Sequence, residues 1–346
     1  MRWTSFEKNS SILSRKIKIV IFIIASVKQI GFSWGFYAHK QINSQAVYSL
    51  PESSLLIFFK NNCAYITKNA VKADQRRYII KEEAARHYID LDVYKKDTSL
   101  KTLPKYFSEA VKVFNSDSLE KHGILPWHIF RTYNMLVAAM KEKNAGKILK
   151  LASDIGHYVG DANVPLHTTH NYDGQLTNQK GIHSLWESRV PELFSKDYDM
   201  LVGKADYIKD VQQAAWNMVY DSNRAVDSVL QLESAISTQI ADDKKYSFEE
   251  RNNQVIRTYS SHFSEQYSLA LNGQVERQIQ KAIRSLASIW YTAWIDAGQP
   301  DLSSFNTVII SEEPEEEKIN IKNDRFLESH NCTHDHSDNY TLLTKK

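Results

Sequence analysis

A chain of 346 residues, 42% hydrophobic and 24% charged, has an ordinary globular composition and enough length to bury a sizeable core. Its 43 basic and 41 acidic residues leave a formal charge of +2, which excludes bulk charge as a reason to bind a polyanion. Two cysteines, Cys63 and Cys332, exclude a disulfide framework and a cysteine-rich zinc finger, and eleven glycines with seven prolines are too few for the turns of an all-β barrel.

Residues 1–33 are expected to be an export signal. Arg2, Lys8, Arg15, Lys16 and Lys18 precede nine uncharged residues from Ile19 to Val27, far short of the ~20 needed to span a bilayer. Gly31 and Ser33 supply small residues for cleavage, which would leave Trp34 at the start of a mature chain without a transmembrane span. The competing reading is a short membrane-surface helix that stays attached. Residues 40–60 and 105–151 carry apolar side chains at helical spacing, Ala110, Val111, Val113 and Phe114 among them. Residues 144–163 read as a helix that ends before Pro165, because the residue preceding proline avoids the α region. A polar loop follows over 167–181, and another helix starts near His183. Residues 274–297 form a long helix stopped by Gly298 and Pro300. From Ser303 the chain turns polar, with acidic residues clustered over 312–317, and reads as a solvated tail. Its His330, Cys332, His334 and His336 are discounted as a metal site. The simplest organisation is an all-α fold: one mainly helical domain over 34–302, between the signal and a disordered tail over 303–346.

The chemistry concentrates between His157 and Glu187. His157 and Asp161 are four apart, hence on one helix face, and His183 and Glu187 repeat that spacing. His167 follows the break at Pro165, which can swing it back toward the same place. Each pair alone reads as a surface ion pair. Their apolar neighbours Tyr158, Val159, Leu166, Leu185 and Trp186 place them beside a buried surface, where a metal would satisfy them. Imidazole nitrogen and carboxylate oxygen are the donors that zinc takes.

With its flanking residues, this pattern resembles the zinc-dependent phospholipase C and single-strand-specific nuclease superfamily. The resemblance extends to Trp34 and His39, to Asp74 in Ala73-Asp-Gln-Arg-Arg77, and to His87 in His87-Tyr-Ile-Asp90, and it covers most of 34–302. It implies a helical domain with three zinc ions. Asp74, His87, His157 and Asp161 would hold the first, and His167, His183 and Glu187 the second. Trp34 would hold the third through its free amine and carbonyl, with His39 and a shared oxygen of Asp161, provided the signal is removed at Ser33. His122 and His128 flank Leu125-Pro-Trp127 as packing or pocket-wall residues, and His170 is placed at the mouth; none has a counterpart among the ligands.

The implied reaction is phosphodiester hydrolysis by zinc-activated hydroxide, with Asp74 orienting or deprotonating the nucleophile and Arg77 binding the phosphorane charge. In a nuclease-like site Tyr88 would stack on a base and Asp90 would read its edge, making single-stranded nucleic acid the expected substrate. Glu187 and the short spacing from His167 to His183 instead match the phospholipases, and Gln75 stands where their choline-binding aromatic would be. The nuclease reading is preferred, with phospholipase C as the alternative and a non-catalytic zinc-binding envelope protein as the remote one. No stable protein partner is inferred, and the place of action is periplasmic or secreted.

Overall fold

The structure, a computed structural model, describes residues 36–96, 103–251 and 254–305. The expected export signal, Trp34, and nearly all of the tail with its histidine and cysteine residues lie outside the described residues. In chain order the helices are α1 (Phe36–Tyr48), α2 (Ser54–Asn61), α3 (Cys63–Asn69), α4 (Lys72–Arg76), α5 (Leu91–Lys96), α6 (Phe107–Val113), α7 (Ser116–His122), α8 (Leu125–Lys141) and α9 (Ala145–Ala162). After a loop come α10 (Ile182–Ser184), α11 (Val190–Phe194), α12 (Val211–Asn223), α13 (Val226–Gln239), α14 (Asp242–Lys245), α15 (Ser261–Ala270) and α16 (Gln274–Asp296). Among the described residues no helix is long and apolar enough to cross a membrane.

The fold is mainly helical, as composition and periodicity predict, with three departures. The helix expected over 40–60 is two helices, because the chain turns at Pro51 and Ser53 then caps α2, its Oγ accepting from the Leu56 amide at 3.2 Å. The run expected over 105–151 is broken by Asn115, which caps α7, and by Gly123, which ends it. Gly123 has φ +83°, and a Cβ there would lie 2.0 Å from the Tyr88 carbonyl oxygen, so only glycine fits. The third departure is a hairpin of β1 (Tyr246–Arg251) and β2 (Gln254–Tyr259), antiparallel with Tyr246 opposite Tyr259, which the all-α expectation did not include.

Helix α9 is the centre of the molecule. Asn144 caps its first turn, accepting from the Lys147 amide, and every residue from Leu151 to Ala162 is buried. A helix buried all round has no solvent face to carry its polar residues, so Asp154, His157 and Asp161 need partners inside the protein. Helix α16 supplies much of the surrounding apolar surface. Its fully buried Trp290 packs edge-on against Phe59 and donates from Nε1 to the Ala152 carbonyl at 3.2 Å. Helix α1 lies across α9 at Gly156 and Gly160, where the missing side chains admit Asn43 and His39.

Candidate metal centre

Periodicity puts His157 and Asp161 one turn apart on α9, and the rest of the site is built around the Asp161 carboxylate. Its Oδ2 lies 2.9 Å from His87 Nδ1 and 3.3 Å from His157 Nε2. Its Oδ1 lies 3.4 Å from His39 Nε2 and 4.0 Å from His167 Nε2. One buried carboxylate therefore touches two groups of donors.

In the first group, Asp74 on α4 and His87, just after the 3-10 turn Lys81–Arg86, close in on His157. His87 Nδ1 is 3.0 Å from His157 Nε2, and Asp74 Oδ1 is 3.8 Å from the former and 3.6 Å from the latter. A tetrahedral ion with bonds of about 2.0–2.2 Å needs its ligand atoms about 3.3–3.6 Å apart. The distances among these four side chains bracket that range. Both oxygens of Asp74 and Oδ1 of Asp161 are buried and have no hydrogen-bond partner among the described residues. A cation between these donors would satisfy what the protein leaves open.

In the second group, Pro165 breaks the chain after α9 and opens the 3-10 turn Pro165–Thr168, which returns His167 toward Asp161. His167 Nε2 lies 3.2 Å from His183 Nε2 and 3.5 Å from Glu187 Oε1, and His183 Nε2 contacts Glu187 Oε2. Glu187 sits in a π-helical stretch, Leu185–Arg189, between α10 and α11, a distortion that tends to mark functional sites. His39 on α1 joins His157 and Asp161 in a third cluster of donors, its ring stacked on His157 with centroids 3.9 Å apart.

The imidazoles are oriented from behind. His157 Nδ1 donates to the Ala70 carbonyl at 2.9 Å, His167 Nδ1 to the His87 carbonyl at 2.5 Å, and His183 Nδ1 to the Tyr172 carbonyl at 3.1 Å. Each bond leaves Nε2 facing the site as an acceptor, the state a metal ligand needs. Burial opposes ionisation of Asp161, yet His157 and His167 overcome it and hold the carboxylate well below the usual range. Burial likewise opposes ionisation of Glu187, and His183 and His167 bring it down to about 2. Against their own burial, His157 is raised by Asp161 and Asp74, and His167 is raised to about 9 by Asp161 and Glu187. His39 is lowered, by burial first and by His157 second. Without a cation, the buried carboxylates thus favour the protonated form of His157 and His167, a place that a metal ion takes over when it binds their Nε2 atoms.

The residues expected to handle substrate are differently placed. Arg77 is exposed, its Nη1 3.6 Å from Asp74 Oδ1. Tyr88 is half-buried and its hydroxyl donates to the Lys121 carbonyl at 2.9 Å. Asp90 is buried, and its Oδ2 accepts from His122 Nδ1 at 3.0 Å and His170 Nδ1 at 3.2 Å. The carboxylate expected to read a base edge thus meets two imidazoles in this structure. His128 does pack as expected, edge-on to Tyr158 at 4.6 Å. Sequence reading passed over Glu83, which is fully buried and faces His87 Nε2 at 3.5 Å while accepting from Tyr158 and Arg86. Its i,i+4 spacing to His87 was the available signal.

No family model matches the chain, and no curated protein does. Among solved structures the chain is similar to the alpha-toxin of Clostridium perfringens from an avian strain, at 14% identity and a TM-score of 0.45, covering 76% of this chain and 65% of that one. It is also similar to the alpha toxin of Clostridium absonum, at 14% identity and a TM-score of 0.42, covering 77% of this chain and 65% of that one.

Proposed function

We propose that this chain is a zinc-dependent phosphodiester hydrolase acting on the head-group phosphodiester of phospholipids. What supports hydrolysis is the convergence of His39, Asp74, His87, His157, His167, His183 and Glu187 around Asp161, with buried carboxylate oxygens left without hydrogen bonds. An all nitrogen and oxygen donor set at these spacings suits zinc. Asp74, His87, His157 and Asp161 would hold one ion and His167, His183 and Glu187 a second. His39 would share Asp161 with the expected N-terminal Trp34 in holding a third. Zinc bound there supplies Lewis acidity, making water nucleophilic near neutral pH and offsetting phosphoryl charge.

The chain's own groups do the rest. Burial opposes ionisation of Asp74, but His157 and His87 keep it an anion, so it orients the attacking water by accepting its hydrogen bond. Arg77, within ion-pair distance of Asp74 and partly open to solvent, is placed to meet the phosphoryl oxygens as a cationic fork. The carbonyls of Ala70, His87 and Tyr172 hold the three imidazoles in their tautomers throughout.

Lipid is preferred to nucleic acid chiefly because Asp90, the carboxylate that would read a base edge, already accepts two histidine hydrogen bonds. Breaking them in the buried setting would cost about 1–3 kcal/mol each, which base recognition would have to recover. Glu187 and the short His167 to His183 spacing lean the same way. The test is a panel of phosphatidylcholine and phosphatidylethanolamine vesicles, single-stranded DNA and RNA, and a chromogenic phosphodiester, with and without chelator. Chelator-sensitive release of phosphorylated head groups is expected. Cleavage of single strands with vesicles left intact would restore the nuclease reading.

A further inference from the structure

Behind the metal ligands lies a second polar cavity that the hydrolytic reading does not use. Helices α8 and α9 each send one stripe of side chains into it, His128, Arg131 and Thr132 from the first and Lys150, Asp154 and Tyr158 from the second. Arg76 on α4 and Arg86 on the following 3-10 turn complete the wall. Four cationic side chains thus meet one carboxylate on the lining.

The carboxylates nearby are already engaged. Asp154 takes Arg76 Nη1 at 3.0 Å, and Glu83 takes Arg86 Nη1 at 2.6 Å from outside the cavity. Arg86 is only 4% exposed, and its Nε and Nη2 are buried without a hydrogen-bond partner among the described residues. The same holds for His128 Nδ1. A buried guanidinium that donates to one carboxylate and leaves two more nitrogens without a protein acceptor is destabilising unless something accepts from them. Burial first, then Arg86 and Arg131, hold the His128 imidazole neutral, so it can still donate one hydrogen bond without adding charge.

We propose that this cavity binds a small tetrahedral oxyanion of the phosphate or sulfate class, seated on Arg86 Nε and Nη2 with Arg131 and Lys150 around it. The edge of a guanidinium that carries Nε and Nη2 presents two parallel N–H groups, the spacing that two oxygens of such an anion accept together. Size follows from the lining: Tyr158 and Asp154 close the side toward the metal ligands, and the half-buried Arg76, Ile80 and Lys150 leave a passage to solvent. The site is separate from the metal centre. Tyr158 is the shared wall, packing edge-on to His87 and His157 as well as to His128.

Equilibrium dialysis of the full chain against radiolabelled sulfate, at constant ionic strength in chloride, tests this. One sulfate per chain is expected. Removing a charged donor should weaken binding about tenfold or more, so Arg86→Gln should do so. Lys150→Gln, at a half-buried position of the lining, should weaken it about three- to tenfold. Glu187→Gln, in the metal centre, should leave sulfate binding unchanged. No saturable binding overturns the proposal. So does binding that survives Lys150→Gln and Arg86→Gln in folded protein but disappears with Glu187→Gln, since the sulfate would then sit on the metal centre.

Discussion

Substituting Gly156 by alanine tests the contact that brings α1 onto α9. An added Cβ would lie 2.0 Å from Asn43 Oδ1 and 2.8 Å from its Nδ2. Asn43 is fully buried and donates to the Ile66 carbonyl at 3.3 Å and to the Ser153 carbonyl at 3.1 Å, tying α1 to α3 and α9. It cannot swing aside without leaving those carbonyls short of a donor. Overpacking costs about 1–3 kcal/mol and a deserted buried acceptor about 1–3 kcal/mol more, while replacing glycine in a helix returns about 1 kcal/mol. The net is a loss of about 1–5 kcal/mol, and at about 2–4 °C per kcal/mol for a large domain the melting temperature should fall by roughly 2–20 °C. Thermal unfolding followed by circular dichroism at saturating metal reads this directly. Gly160→Ala is the companion. Its Cβ would sit 2.8 Å from His39 Nδ1, so it should displace that ring from Asp161 and weaken metal retention. An unchanged or raised melting temperature for Gly156→Ala would refute the close approach of α1 and α9.

Asp161→Asn should lose more metal than His39→Ala, because Asp161 touches both groups of donors and His39 only one of its oxygens; equal losses in metal analysis would contradict a shared ligand. Stripped of metal, the protein holds a proton on His167 up to about pH 9, against 6.5 when unfolded. Its folded state then binds more protons than its unfolded state between those values, so its melting temperature should fall as pH rises through that window, while the metal-loaded protein shows no such fall. A flat metal-free profile would contradict the protonated site. Asp90→Asn should destabilise by about 1–3 kcal/mol through weaker bonds to His122 and His170, measured by denaturant unfolding; loss of single-strand cleavage with stability unchanged would return Asp90 to substrate reading.

Local spacing made part of this legible. A helix repeat of 3.6 residues puts His157 over Asp161, and Pro165 announces the break that returns His167, so the α9 portion of the site could be read from one short stretch. Asp74, His87 and His39 come from segments 70 or more residues away from His157, and periodicity says nothing about such distances; only the resemblance named them. The surroundings of Asp90 were not legible either, since its partners His122 and His170 arrive from two other segments. The hairpin of β1 and β2 was missed because its strands carry Glu249, Glu250 and Arg257 among their apolar residues and lack a tight glycine turn. The burial of Arg86 and Arg131 left no signal in the local spacing and emerges only in the fold.

Metal stoichiometry of protein beginning at Trp34, measured by native mass spectrometry after careful removal of loosely bound ions, bears most directly on the zinc-centre proposal. Close to three zinc ions per chain are expected, falling on Asp161→Asn and lost with chelation together with phosphodiester turnover. A chain carrying one zinc or none, or one whose turnover survives complete chelation, would contradict it.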